Sequence, residues 1–414
     1  MRSGENPPAG PAAFATAPTV RPYGSWASPI TADLISRGGV AFGQLAFDGA
    51  RVFFSEIRPT EKGRSVIVQR DGNGAFTDVT PPGFNARTRV HEYGGGDYLV
   101  TGDTVYFSNF SDQRVYRQSS LDRTPSPPEP ITGAAPLRFA DYRLDETRNR
   151  LLCVREDKRH LTRREDVNTL VALDPGGDEE GGRVLVEGNE FYASPRISPD
   201  GASLCWLTWN HPDMPWDAAE LWAGKFAPDG TVIDRVHVAG GRGESVFQPE
   251  WAPDGTLHFV SDRTGFWNLY RRGAGVIEPL SQRAAEFGVP QWVFGLATYA
   301  FVAPQVVLCT YIESGRWRLA TLDTKTRELV TVETPFTWFS GIRGAPGSAV
   351  FFAGSPTEPP SIARFELTSG KLEVLRRSTD LAFDPGDLSI PEPIEFPTAV
   401  APDASGVRLA SAST

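Results

Sequence analysis

The sequence predicts an all-β protein, and more narrowly a seven-bladed β-propeller. Three observations carry this. The stretch Pro195-Arg196-Ile197-Ser198-Pro199-Asp200-Gly201, with an apolar run over 204–209, recurs as Pro249-Glu250-Trp251-Ala252-Pro253-Asp254-Gly255, with a run over 257–260. In each copy Pro fixes φ at the first turn position, Asp caps the turn and Gly supplies positive φ, so a hairpin joins two short strands. The copies lie 54 residues apart, close to the blade period of propellers. Weaker copies extend the repeat in both directions. Packed β-sandwiches would not repeat one turn signature at constant spacing.

Residues 1–20, rich in Pro, Ala and Gly, read as a disordered leader. Thr31 or Asp33 then caps 31–36, as an edge strand or short helix ahead of the first blade. The propeller is assigned to 21–385. In blade one, Leu45-Ala46-Phe47-Asp48-Gly49 precedes a strand over 51–57, which pairs with 65–70 across the charged loop 58–64. Blade two turns at Gly102-Asp103, and 119–136 is its outer connection. Blade three turns after Tyr142-Arg143-Leu144-Asp145, and its loop 156–168, with both charge signs, is expected to be solvated. Blades four and five are the two full copies. A weaker hairpin over 295–311 makes blade six. Gly341-Ile342-Arg343-Gly344-Ala345-Pro346-Gly347 opens blade seven. The units run from about Phe42 to Arg377, at roughly 45–55 residues each. Residues 386–414 are expected to form a crossover segment and a tail poorly ordered from about Ala399. The central channel is expected to be open at both faces or narrowed by side chains. Blade one should be completed or clasped by residues near one terminus.

The strand register also predicts a functional face. Turns joining first to second strands lie on face one, where the Pro-Asp-Gly turns fall. Loops joining second to third strands lie on face two, with the segments that lead into each next blade. The least ordinary stretches converge there: Arg87-Thr88-Arg89-Val90-His91-Glu92-Tyr93-Gly94-Gly95-Gly96, His211-Pro212-Asp213-Met214-Pro215-Trp216-Asp217, and Ser261-Asp262-Arg263-Thr264-Gly265-Phe266. The candidate residues for substrate binding or domain docking are Arg87, Arg89, His91, Glu92, Asp213, Asp217, Glu220 and Arg263. Glu92 or Asp217 would offer a carboxylate to a peptide's ammonium group, or dock a second domain.

The net charge of −10 argues against a nucleic-acid surface. The three cysteines, Cys153, Cys205 and Cys309, each sit in an apolar strand of a different unit, as buried thiols in a reducing compartment do. Nothing resembles a signal peptide, and no apolar run reaches membrane-spanning length. A cytoplasmic location is the expectation, with no membrane partner. The sequence contains no G-x-S-x-G nucleophile elbow. Its five histidines show no metal spacing, and no Gly-rich phosphate loop opens a helix. No catalytic residue, metal or cofactor is therefore assigned.

The face-two stretches resemble segments of the prolyl oligopeptidase family, in particular its acylaminoacyl-peptidase and dipeptidyl-aminopeptidase-like serine peptidases. So do Tyr23-Gly24-Ser25-Trp26, Ser28-Pro29-Ile30 and Ser261-Asp262-Arg263-Thr264-Gly265-Phe266-Trp267-Asn268-Leu269-Tyr270. Pro391-Glu392-Pro393-Ile394-Glu395-Phe396-Pro397-Thr398 resembles the crossover into that family's second domain. The resemblance implies an N-terminal seven-bladed propeller that caps an α/β-hydrolase domain, which carries the Ser-Asp-His triad. That domain needs on the order of 200 residues and is absent after Thr398 here. The expectation is a non-catalytic propeller that gates substrate and binds a peptide's N-terminus, inactive alone, its partner a peptide or a hydrolase domain. The alternative is a stand-alone propeller that binds a protein or peptide.

Overall fold

The computed structural model describes residues 20–394, apart from 26–27, 38, 49, 120–125, 160–165, 274 and 382. The expected leader and tail lie outside the described residues. Seven antiparallel sheets of four strands follow one another along the chain, over 41–78, 98–130, 137–186, 191–240, 246–279, 299–331 and 338–377. These are the seven expected blades, within a few residues at each end. The described residues hold no α/β-hydrolase domain. No helix among the described residues is long and apolar enough to cross a membrane.

The Pro-Asp-Gly turns form as their chemistry dictates. Asp200 Oδ1 accepts from Ala202 N at 3.0 Å, and Asp254 Oδ1 from Thr256 N at 2.9 Å. Gly201 and Gly255 take φ of 69° and 82°, which only glycine adopts freely. Between blades, large apolar side chains such as Trp206, Phe107, Phe139 and Phe259 fill the space and are almost wholly buried. Ahead of these turns, the first strands of blades 4, 5 and 7 carry bulges, with Ser194, Gln248 and Gly341 left-handed.

One tie recurs between first strands. Gln248 accepts from Thr298 N (2.7 Å) and donates to Tyr299 O (2.7 Å), while Tyr299 Oη donates back to Gln248 O (3.0 Å). Gln44 and Tyr98 repeat the last two of these bonds between blades 1 and 2, at 2.6 and 3.0 Å. Such buried hydrogen bonds contribute roughly 1 kcal/mol each.

Blade 1 and blade 7 are each built from consecutive strands, so no strand from one end completes the other. The clasp is lighter: Val40 N donates to Ser378 O (2.8 Å), Arg343 Nε to Leu45 O (3.1 Å), and Arg376 pairs with Glu56 (3.0 Å).

Two expectations need correction. The channel is crossed at face two by main chain, not merely by side chains. Phe294 N donates to Gly94 O (3.0 Å), and Gly95 and Phe294 form a parallel bridge. These residues lead into blades 2 and 6, which are not neighbours in the ring, so the contact spans the axis. A Cβ on Gly95 would lie 2.5 Å from Phe294 O, so only glycine permits the approach. The solvated loop of blade 3 is also partly strand. Glu156 and Asp157 finish Arg150–Asp157 and are 3% and 2% exposed. Their charges are compensated by Arg138 and Arg159 at 2.8 and 2.6 Å, which is what lets carboxylates be buried.

Ahead of blade 1, Ala32–Arg37 is the short helix, and Thr31 Oγ1 caps it by accepting from Leu34 N (3.2 Å).

Candidate functional site

The segment leading into blade 2 makes the centre of face two. Asp97 Oδ1 accepts from Thr88 N (2.8 Å) and closes the segment into a loop. Burial pushes the Asp97 carboxyl up to about 6. Inside the loop, His91 and Glu92 are left-handed, at φ 54° and 65°. Glu156, from blade 3, holds that strained turn by accepting from His91 N (2.9 Å). Arg138 fastens the same corner, donating to Glu156 (2.8 Å), Glu92 (3.0 Å) and Arg89 O (2.9 Å).

The turn pushes the His91 imidazole among Phe294, Phe191 and Trp209, at ring distances of 4.8, 5.1 and 5.6 Å. Burial, opposed by Asn168, holds its pKa down at about 3. At neutral pH it is an uncharged aromatic wall. Beside it opens a pocket of about 200 Å³. Its floor and sides come from three blades: Tyr93 from the blade 2 segment, Phe191, Trp209 and the 211–216 loop from blade 4, and 291–294 from the blade 6 segment. Trp216 packs on Trp292 at 4.5 Å, and Tyr93 on Trp292 at 5.6 Å. Tyr93 and Trp292 are 60% and 51% exposed, so the rim is aromatic.

Among the described residues, Asp213 is the only carboxylate residue lining this pocket. Its side chain makes no hydrogen bond or ion pair among the described residues. His211 lines the pocket too, with Nδ1 3.1 Å from Glu190.

All eight predicted residues lie on face two by connectivity, but their charged groups do not converge. Only His91 and Asp213 line the pocket. Glu92 is paired with Arg138, which with burial opposing keeps its pKa below the usual carboxylate range. Asp217 Oδ2 accepts from Met214 N (3.1 Å) at the start of the short helix Pro215–Ala218. Glu220 accepts from Trp222 Nε1 (2.8 Å). Arg263 pairs with Glu244 (2.7 Å) and lies over Tyr270. Arg87 and Arg89 both lie over Phe110, at 5.2 and 4.9 Å.

Sequence reasoning missed Tyr93, Phe191, Trp209, Trp216, Trp292 and Phe294. A signal existed: Gln291-Trp292-Val293-Phe294 stands before blade 6 just as Tyr93 stands before blade 2.

Glu92, Glu156 and Asp166 bring carboxylate oxygens within 4.8 Å of one another. Arg138 and Lys158 already pair with this trio, so two of its three charges are balanced by ion pairs.

No protein-family model matches the chain, and no curated protein does. Solved structures do. A puromycin-hydrolyzing peptidase of Mycobacterium tuberculosis matches with a TM-score of 0.83 and 33% identity, over 91% of this chain and 59% of that one. A puromycin hydrolase matches with a TM-score of 0.81 and 31% identity, over 89% of this chain and 58% of its own. The chain belongs to the prolyl oligopeptidase family, as its β-propeller portion. A prolyl endopeptidase structure shares the fold more distantly, at a TM-score of 0.63 and 14% identity, over 84% of this chain and 51% of that one. This member of the prolyl oligopeptidase family therefore spans about three fifths of the length of the first two peptidases. First strands start, and fourth strands end, on face two. Val40 and Ser378, which flank the propeller, are hydrogen-bonded there at 2.8 Å. The chain thus joins and leaves its propeller on the pocket's face.

Proposed function

We propose that this propeller covers and screens the active site of a serine exopeptidase of the family, and that face two receives the N-terminal end of a peptide. The observation that carries the reading is the aromatic pocket with the unpaired Asp213 carboxylate, on the face where the chain joins and leaves the ring. An apolar residue of the peptide fills the pocket, and Asp213 meets the ammonium group. Glu92 and Asp217 serve as supports, since each carboxylate already has a partner. A desolvated carboxylate–ammonium pair contributes a few kcal/mol when its geometry is good. Catalysis is left to a hydrolase domain. A cytoplasmic setting fits the three buried thiols.

Co-expression with the hydrolase domain of a relative, assayed on aminoacyl chromogenic substrates, tests this. Asp213→Asn should raise KM about tenfold for substrates with a free N-terminus and leave blocked ones within twofold. Equal effects on both would remove the ammonium role. The 414-residue chain alone should take no label from a fluorophosphonate probe; stoichiometric labelling of one serine would overturn the non-catalytic reading.

A further inference from the structure

We propose that the central channel holds a binding site for one carboxylate group, separate from the aromatic pocket. The site lies one step below the Gly94–Phe294 crossing. There the first strands of blades 3, 4 and 7 each place an arginine two residues after a left-handed residue. Arg143 follows Asp141, Arg196 follows Ser194 and Arg343 follows Gly341, at φ of 56°, 53° and 66°. Glu250 holds the same position in blade 5, after Gln248. The crossing fixes this level from above: Asp141 N donates to Gly96 O (2.9 Å), and Arg343 Nη2 to Gly295 O (2.6 Å).

The charges at this level do not balance. Arg196 faces both carboxylates, with Glu250 at 2.7 Å and Asp141 at 3.5 Å. Arg343 is held by carbonyls alone, those of Leu45, Ile342 and Gly295. Arg143 donates only to Tyr142 O (2.6 Å), and its nearest carboxylate, Asp141, is 3.8 Å away. Three guanidiniums therefore meet two carboxylates, and one positive charge is left over. Arg143 and Arg343 come from opposite sides of the ring, yet the Arg343 charge reaches Arg143. Burial, then Arg196, pushes Arg143 down to about 10.

There is room at this level. The Arg143 side chain is 32% exposed and that of Glu250 31%, inside the ring. A surplus cation in a confined, half-buried channel is less well solvated than one on the open surface, and a bound monoanion offsets that cost. A carboxylate matches the paired donors of a guanidinium, whereas a divalent oxyanion would overshoot the charge. Main chain crosses the axis at face two, so the ligand comes from the face-one side.

The test is calorimetric titration of the 414-residue chain with sodium acetate, and separately with sodium sulfate, at fixed ionic strength. One acetate should bind saturably, at least tenfold more weakly in Arg143→Gln and unchanged in the surface variant Arg316→Gln. Competition by triglycine but not its amide assigns the carboxylate to a peptide's C-terminus, and competition by neither assigns it to a free small acid. Should Arg143→Gln fail to fold, the wild-type chain is treated with phenylglyoxal, and acetate should slow modification of Arg143 at least fivefold by mass spectrometry. No saturable acetate binding, a preference for sulfate, competition by the amide, or modification unaffected by acetate overturns the proposal.

Discussion

The two faces of this ring are built on different principles. Face one carries short turns closed chiefly by their own residues, as Asp200 and Asp254 close theirs, with ties only to the adjacent blade, such as Arg148 Nη1 to Gly201 O (2.9 Å) and Arg51 to Asp103 (3.0 Å). Face two is made of unlike segments that depend on distant partners. The blade 2 segment is held by Glu156 and Arg138 of blade 3, meets Phe294 from before blade 6 and packs on Phe191 of blade 4. A defect on face one should reach no further than the adjacent blade. A defect on face two should be felt in several blades at once.

Glycine substitution gives the largest expected contrast. Gly95 and Gly255 have similar φ, 87° and 82°. A methyl group at Gly255 meets nothing within 4 Å, so Gly255→Ala should cost only about 1 kcal/mol of left-handed strain. At Gly95 the same methyl lies 2.5 Å from Phe294 O and 2.8 Å from Phe294 N, both main chain. Gly95→Ala should cost roughly 3–5 kcal/mol by denaturant unfolding, or prevent folding. Equal costs at the two positions would mean that the crossing contributes nothing to the fold.

That contrast also explains what could be read from the chain. The hairpin turns were legible because Pro, Asp and Gly act within a few residues, and a local rule repeated every blade fixes the whole ring. The face was legible too, since connectivity alone places residues 87–92 and 213–220 on one side. The pocket was not. Glu92 and Asp217 stood out as charged residues in unusual loops, but their partners, Arg138 and the Met214 amide, are set by three-dimensional packing. Trp292 and Phe294 lie about 200 residues from His91, and no periodicity links them. Glu156 reads as a loop residue in the sequence because its burial depends on Arg138 and on a backbone amide in another blade.

A second contrast is in acid. His91 has a folded pKa of about 3 against an ordinary 6.5, so the unfolded chain binds its proton first as pH falls. Its contribution to stability is complete above pH 6.5 and is lost progressively down to about 3. Asp97 acts the other way, because its folded pKa of about 6 lies above the ordinary 3.8. It lowers stability as pH rises from about 3.8 to 6 and is constant above. His91→Phe places a ring of similar size against Phe191, Trp209 and Phe294, and gives up only the weak interaction with Asn168, too poorly aligned to count as a hydrogen bond at Nε2. The variant should be within about 1 kcal/mol of wild type at pH 7 and gain on it by roughly 2–3 kcal/mol by pH 4. Parallel stability curves from pH 7 to 4 would show that His91 is not shielded by the aromatic wall.

The smallest effect is predicted on face one, where it is also the most diagnostic. Asp200 is exposed, and its carboxylate accepts from Ser198 Oγ (2.6 Å) and Ala202 N (3.0 Å). Asp200→Ala removes these turn bonds, but the buried Ser198 hydroxyl keeps Ser203 O as an acceptor (3.3 Å) and Ala202 is exposed. The expected loss is about 0.5–1 kcal/mol. In the reconstituted two-domain enzyme the same substitution should leave KM unchanged for free and blocked substrates alike. Asp213→Asn, at a half-buried position on the opposite face, should do the reverse: little loss of stability and a selective rise in KM. If Asp200→Ala shifted KM as Asp213→Asn does, the faces would be coupled through the blades. The separation between a locally closed face and a face built by distant contacts would then fail where it matters for function.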